Sequence, residues 1–166
     1  MLRVPALIGA IVLLSDGPGR PPAITFYGVG SVQVGTSVQE ASKALGSPLE
    51  TTPDREEALS CHFVRSKSEP ALLFMVEDGR ITRAETDSRR YQTASGIRVG
   101  DSESRVRRVY GSRLEVEEHT YDPAGHYLTV RSADRRFALV METDGKRVVY
   151  IRAGQMPSAE YVEGCL

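Results

Sequence analysis

At 166 residues, 40% of them apolar, the chain is long enough to bury a core as one domain or as two small halves. Its formal net charge of −1 excludes a global field that would select nucleic acid or an acidic membrane as partner. Arginine outnumbers lysine 18 to 3 and asparagine is absent, a bias that fits GC-rich coding better than an arginine-based recognition surface.

The chain opens Met-Leu-Arg and continues as an apolar run over residues 4–14. One early positive charge and an apolar stretch too short to span a bilayer predict a secretory signal. No Cys follows the run, which argues against a lipid-modified N-terminus. Gly and Pro then crowd a linker, so residues 1–23 are assigned to a signal-like segment and linker.

A first unit is assigned to residues 24–93. Its residues 34–46 predict a short helix, with Ser37 as N-cap, Glu40 three residues on completing a capping box, and Gly46 closing it. Residues 47–59 are polar, with two prolines, and predict a loop before a strand at Cys61-His62-Phe63-Val64. Asp78-Gly79 between apolar runs predicts a two-residue hairpin, with Glu77 facing Arg80, Val76 facing Ile81 and Met75 facing Thr82.

A second unit is assigned to residues 94–154. Residues 99–111 repeat the helix pattern 65 positions on, with Asp101 and Ser102 at its start, Arg105 in the place of Glu40, and Gly111 at its end. Asp122-Pro123-Ala124-Gly125 predicts a tight turn between two strands. Asp144-Gly145 predicts another hairpin, 66 residues after Asp78-Gly79, with Val140, Val149 and Ile151 on one face and Leu139, Met141, Val148 and Tyr150 on the other. Residues 155–166 form a C-terminal tail ending in Cys165 and Leu166. In an exported chain the two cysteines, Cys61 and Cys165, are expected to pair as a disulfide.

The near-constant offset of these landmarks predicts an α+β fold of two tandem repeats, each a short helix packed on an antiparallel β-sheet in an αβββ-like unit. The Gly-x-Thr/Ser-x-x-Glu-Ala pattern with a following Leu-Gly, at Gly35-Thr36-Ser37 through Leu45-Gly46, resembles the helix of the SmpA/OmlA (BamE-type) outer-membrane lipoprotein domain. Two such helix starts in tandem, the second at Val99-Gly100-Asp101-Ser102 and ending at Tyr110-Gly111, resemble the architecture of β-lactamase inhibitor proteins. The resemblance implies a non-catalytic, protein-binding role and carries no particular binding residue with it.

Chemistry-bearing candidates are sparse. His119, Asp122 and His126 flank the Pro123 turn and would be the site of the alternative function, a small metal-dependent hydrolase. Two histidines with one carboxylate are thin ligation for zinc, and alternate strand residues point to opposite faces. Cys61 and His62 are adjacent on a strand, which separates them as a nucleophile and base. Gly28-Val29-Gly30 lacks the strand-to-helix context of a dinucleotide fingerprint. Arg105, Arg107, Arg108 and Arg113 sit beside Glu115, Glu117 and Glu118, as on a solvated face of mixed pairs.

The sequence therefore predicts an exported bacterial envelope protein, periplasmic or secreted, acting as a non-catalytic protein-binding or scaffolding module without cofactor or metal. A purely structural envelope protein is the other alternative. The binding module's expected partner is another envelope or secreted protein, with no nucleic acid and no stable membrane insertion after signal removal. The hairpin tips supply the candidate binding residues Asp78, Asp122, Pro123, His126 and Asp144.

Overall fold

The computed structural model describes residues 22–52 and 60–165. Residues 1–21 of the expected signal-like segment, residues 53–59 of the predicted loop, and Leu166 lie outside the described residues.

Three two-residue strands come first: β1 (Ile24–Thr25), β2 (Gly28–Val29) and β3 (Val32–Gln33), which pair into a small antiparallel sheet. Helix α1 (Val38–Leu45) follows, then β4 (Leu49–Thr51), β5 (Cys61–Ser66), β6 (Glu69–Glu77) and β7 (Arg80–Thr86). Helix α2 (Glu103–Tyr110) precedes β8 (Leu114–Glu118), β9 (His126–Arg131), β10 (Phe137–Thr143) and β11 (Val148–Gln155). The last eight strands form one antiparallel sheet in the order β4-β5-β6-β7-β11-β10-β9-β8. No helix among the described residues is long and apolar enough to cross a membrane.

This overturns the predicted α+β architecture of two αβββ repeats. The molecule is mostly β, each helix is followed by four strands, and all eight join a single sheet. The seam is the β7–β11 pair, in which Ile151, Arg152, Ala153 and Gly154 oppose Thr86, Glu85, Ala84 and Arg83. Two separate small sheets would each leave a long central strand unpaired at an edge, with its main-chain groups open. Joining β7 to β11 removes both edges, so the outer edges fall on the short β4 and β8.

Both helices form where the caps direct them. Ser37 accepts from the Glu40 amide while the Glu40 carboxylate accepts from the Ser37 amide at 2.8 Å, and Gly46 ends the helix at φ 66°. In α2, Ser102 caps the Arg105 amide, and no reciprocal bond is made because Arg105 replaces the glutamate. Eight-residue helices are unstable alone. Here Ala41, Val106 and Tyr110 bury against one face of the sheet together with Ile24, Val29 and Val32 of the small sheet. That helix face is built from Phe74, Ile81, Leu128, Met141 and Ile151.

The Asp78-Gly79 turn has the predicted two residues, both at positive φ, 49° and 75°. Glu77 faces Arg80 and Val76 faces Ile81, as expected, but Met75 faces Arg83 rather than Thr82. Thr82 is the extra residue of a β-bulge, which flips Arg83 and Glu85 to the opposite face from Ile81. The second hairpin departs further. Thr143 pairs Val148 and Glu142 pairs Tyr150, so Asp144-Gly145 lies in a four-residue connection and Val149 is bulged. Ile151 accordingly joins Leu139 and Met141 on the helix face, while Val140 shares the other face with Tyr150 and Arg152, correcting the predicted partition. The predicted loop also carries β4, whose Leu49 pairs with Ser66.

Gly154 sits opposite Arg83 at the seam, where a Cβ would stand 2.2 Å from the Thr82 carbonyl oxygen and 2.8 Å from Arg83 Cα. Gly154→Ala is expected to cost about 1–3 kcal/mol of unfolding free energy, measured by urea denaturation. A loss within the roughly 0.5 kcal/mol typical of a neutral surface change would contradict this packing.

Candidate functional site

The two bulges assemble a charged centre on the sheet face away from the helices. The register sets side by side Glu115, Thr129, Val140, Arg152, Glu85 and Leu73 in one row. The neighbouring row runs Arg131, Ala138, Gly154, Arg83, Met75 and Phe63. Arg83 and Arg152 are 1% and 3% exposed. Arg83 Nη2 lies 2.6 Å from Glu85 Oε2, and Arg152 Nη2 lies 2.8 Å from Glu142 Oε1. The Tyr150 hydroxyl donates to Glu85 Oε1 at 2.8 Å. The guanidinium planes lean on aromatic rings, Arg83 over Phe63 and Arg152 over Tyr127, at 5.6 and 5.7 Å. Burial draws the Arg83 pKa down, and the Glu85 carboxylate opposes it.

Residues 156–165 cross this face. The Met156 amide bonds the Arg136 carbonyl at 2.8 Å, and Ser158–Glu160 make one 3₁₀ turn. Arg83 Nη1 donates to the Ser158 and Tyr161 carbonyls at 2.9 and 2.8 Å, and Arg152 Nη1 donates to Tyr161 at 3.0 Å. Ser158 Oγ donates to Glu77, and Arg131 pairs with Glu160. Ala159 is fully buried beside Tyr127, Ala138 and Val140. A disulfide joins Cys165 to Cys61, which packs with Phe63, Leu73 and Met75. The crossing segment is thus held by main-chain carbonyls, the Met156 amide, the Ser158 hydroxyl, one small apolar side chain, one carboxylate and one covalent bond.

The predicted candidates are distributed differently. Asp122 and His126 lie at the end of the sheet that carries the Asp144 turn, whereas Asp78 lies at the other end, beside the crossing segment. Asp122 Oδ1 accepts from the Ala124 amide at 2.9 Å, closing the turn that contains Pro123. Asp144 Oδ1 accepts from the amides of Arg147 and Lys146 at 2.7 and 2.9 Å, and these bonds, Arg147 first, hold its carboxyl below the usual range. His119 Nδ1 accepts from the Tyr121 and Asp122 amides, both at 3.1 Å, and its ring stacks on Tyr127 at 4.6 Å. His126 points to the helix face, where Nδ1 donates to Glu103 Oε1 at 2.7 Å. The structure therefore does not bring His119 and His126 together. Among the described residues no group of three or more His, Cys, Asp or Glu is placed to hold a metal ion.

Arg83, Glu85, Glu142 and Arg152 were not candidates from sequence. Their signal is the alternating pair Arg83 and Glu85 about Ala84, and a single charge in each of the otherwise uncharged stretches 137–143 and 148–155. Arg107 pairs with Glu103, and Arg105 with Asp101, as expected for a face of mixed charges.

No protein-family model matches the chain, and no curated protein matches it in sequence. Its fold is similar to the crystal structure of the uncharacterized protein yfeY from Escherichia coli, with a TM-score of 0.54 and 13% identity over 80% of this chain and 99% of that one. A second likeness is to an extracellular protein containing a SCP domain from Bacillus anthracis str. Ames, with a TM-score of 0.49 and 11% identity over 74% of this chain and 44% of that one. The likeness to yfeY shows a shared fold.

Replacing Arg83 with Met leaves the buried Glu85 carboxylate without its nearest cation, so a loss of roughly 3–5 kcal/mol is expected in urea unfolding. Adding Glu85→Gln to that variant should restore much of the loss. A single-variant loss below about 1 kcal/mol, the range of exposed pairs, would contradict a buried pair.

Glu103 generates a pH prediction. Burial pushes its carboxyl up, but bonds from the Thr143 hydroxyl and His126, with the nearby His126 and Arg107, outweigh burial and leave it below the ordinary value. A carboxyl lowered by folding adds stability that is present above its unfolded value, about 4.3, and lost as pH falls through the folded one. Glu103→Gln should therefore flatten the acid limb of a stability–pH profile between neutrality and the onset of acid unfolding. An unchanged limb would contradict the network.

Proposed function

We propose that the chain is an exported bacterial envelope protein that binds another protein without catalysing a reaction on it. The observation that carries this is the grip of Arg83 and Arg152 on the main-chain carbonyls of a crossing polypeptide segment. Carbonyls recur in every peptide, so two immobilised guanidiniums supply backbone recognition, and neighbouring pockets supply selectivity.

Other features support the same function. The groups best suited to chemistry are engaged in structural roles: Cys61 in the disulfide, His126 on Glu103, His119 on its turn, Asp122 and Asp144 on theirs. The apolar run of residues 4–14 and the disulfide favour an oxidising compartment outside the cytoplasm. The resemblance of the first helix start to the SmpA/OmlA helix points to protein binding as well.

Retention from an envelope extract on immobilised protein, run with the disulfide intact and again reduced, tests the function. One protein retained near one-to-one in at least one thiol state is the expected result. No protein retained in either state, together with stoichiometric metal in the purified sample or turnover of a small substrate, would overturn it.

A further inference from the structure

We propose that the sheet face beneath residues 156–165 is a peptide-binding trough that the chain's own C-terminal segment fills in cis, latched by the Cys61–Cys165 disulfide. The ligand that replaces it is a polypeptide segment carrying a small residue followed directly by a carboxylate. This rests on the protein-binding function above and names the class of partner.

The trough's demands can be taken from how the segment sits. Four recognition points hold it. Arg83 and Arg152 hold the Ser158 and Tyr161 carbonyls, which any peptide offers. Ala159 is seated without exposure beside Tyr127, Ala138 and Val140, so a larger side chain has no room there. The next residue, Glu160, pairs with Arg131, whose Nε also donates to Glu115 at 3.0 Å. Ser158 adds a hydroxyl donated to Glu77. A small residue and then a carboxylate, on a backbone that turns once, satisfies the first three of these points, and a hydroxyl residue directly before them adds the fourth.

The segment fills the trough incompletely. Tyr161 and Val162 are 39% and 36% exposed, unlike the buried Ser158 and Ala159 that precede them. Val162 borders a cavity of about 240 Å³ over Arg83, Glu85 and Arg152, and another of about 180 Å³ over Tyr127, Thr129 and Glu117. Tyr161 borders one of about 290 Å³ beside Arg80 and Thr82, and a fourth of about 420 Å³ separates residues 161–165 from Glu77 and Asp78. These are clefts open to solvent along both flanks of the segment. The Nε atoms of Arg83 and Arg152, buried in the same centre, have no hydrogen-bond partner among the described residues. A segment held by a few polar points, with space along both flanks, is an exchangeable occupant that depends on its covalent latch.

A dithiol reductant opens the latch. One of its thiolates attacks Cys165 Sγ, the Cys61–Cys165 bond breaks, and Cys61 leaves as thiolate. The reductant's second thiol then attacks the mixed disulfide, releasing Cys165 and leaving the reductant oxidised by two electrons.

The test uses the full chain carrying Cys165→Ser and Ala159→Asp, so that its own segment is neither latched nor able to seat. The probe is a fluorescein-labelled synthetic peptide with the sequence Met-Pro-Ser-Ala-Glu-Tyr-Val-Glu-Gly, read by anisotropy. Saturable binding with a Kd on the order of micromolar is expected, at least about tenfold tighter than to the oxidised natural chain. A further loss of about tenfold or more is expected when the peptide's Ala becomes Leu, when its Glu becomes Lys, or when Arg131→Gln is added to the protein. Absence of saturable binding by the folded variant, or binding indifferent to all three changes, overturns the proposal.

Should that variant not fold, hydrogen exchange on the natural chain with and without dithiothreitol decides. Faster exchange confined to residues 156–165, with β5–β7 and β9–β11 still protected, supports a latched occupant. Loss of protection through those strands overturns it, because the segment is then an integral part of the sheet. The two proposals fail separately: protein retained from the extract alongside no peptide binding sinks only the trough.

Discussion

Two arginines buried at the middle of a β-sheet impose more order on this molecule than any other feature. A guanidinium without solvent is costly unless its charge and its donors are met. Arg83 and Arg152 meet that demand through Glu85 and Glu142, through the rings of Phe63 and Tyr127, and through carbonyls brought in by residues 158–161. The pairing of β7 with β11 places Arg152 directly across from Glu85 and requires glycine at 154 across from Arg83. The seam that joins the eight strands and the centre that holds the crossing segment are therefore the same few residues.

Both faces of the sheet follow from this. The helix face is conventional apolar burial, closed by α1, α2 and the small sheet. The opposite face is divided, with apolar ground around Phe63 and Met75 on one side and Tyr127 and Val140 on the other, and the ionic centre between. Apolar contacts alone are indifferent to direction, whereas carbonyls pointed at two fixed guanidiniums define where a backbone must run. That combination fixes the path of residues 158–161 across the face, and the disulfide to Cys61 fixes where the segment ends.

Local elements were legible from sequence to the extent that their signals are local. Ser37 with Glu40, Ser102, Gly46 and Gly111 marked both helices, and Asp78-Gly79 marked a turn that forms as expected. The disulfide followed from two cysteines in an export-like chain. What the offset of 65 residues could not show is which strands pair across the halves, because β7 to β11 contact is set by edges that must be buried rather than by any motif. The bulges at Thr82 and Val149 were hidden for a related reason. One unpaired residue leaves no trace in an apolar pattern until the register is known, yet it turns every later side chain over. Arg83, Glu85 and Arg152 were consequently not brought together by the sequence pattern. The hairpin-tip residues drew notice because polar side chains gather there, and most of that polarity stabilises the turns themselves, as Asp122 and Asp144 show.

Residues 156–165, proposed as a separable occupant, roof the arginine centre, and side-chain NMR of the arginine Nε protons reports on that roof. With the disulfide intact, the Arg83 and Arg152 Nε protons should exchange slowly with water. On reduction both should become fast while the strand amides of β7 and β11 stay protected. Fast exchange in the oxidised protein, or loss of strand protection together with the arginine signals, would show that the segment is not a separable roof.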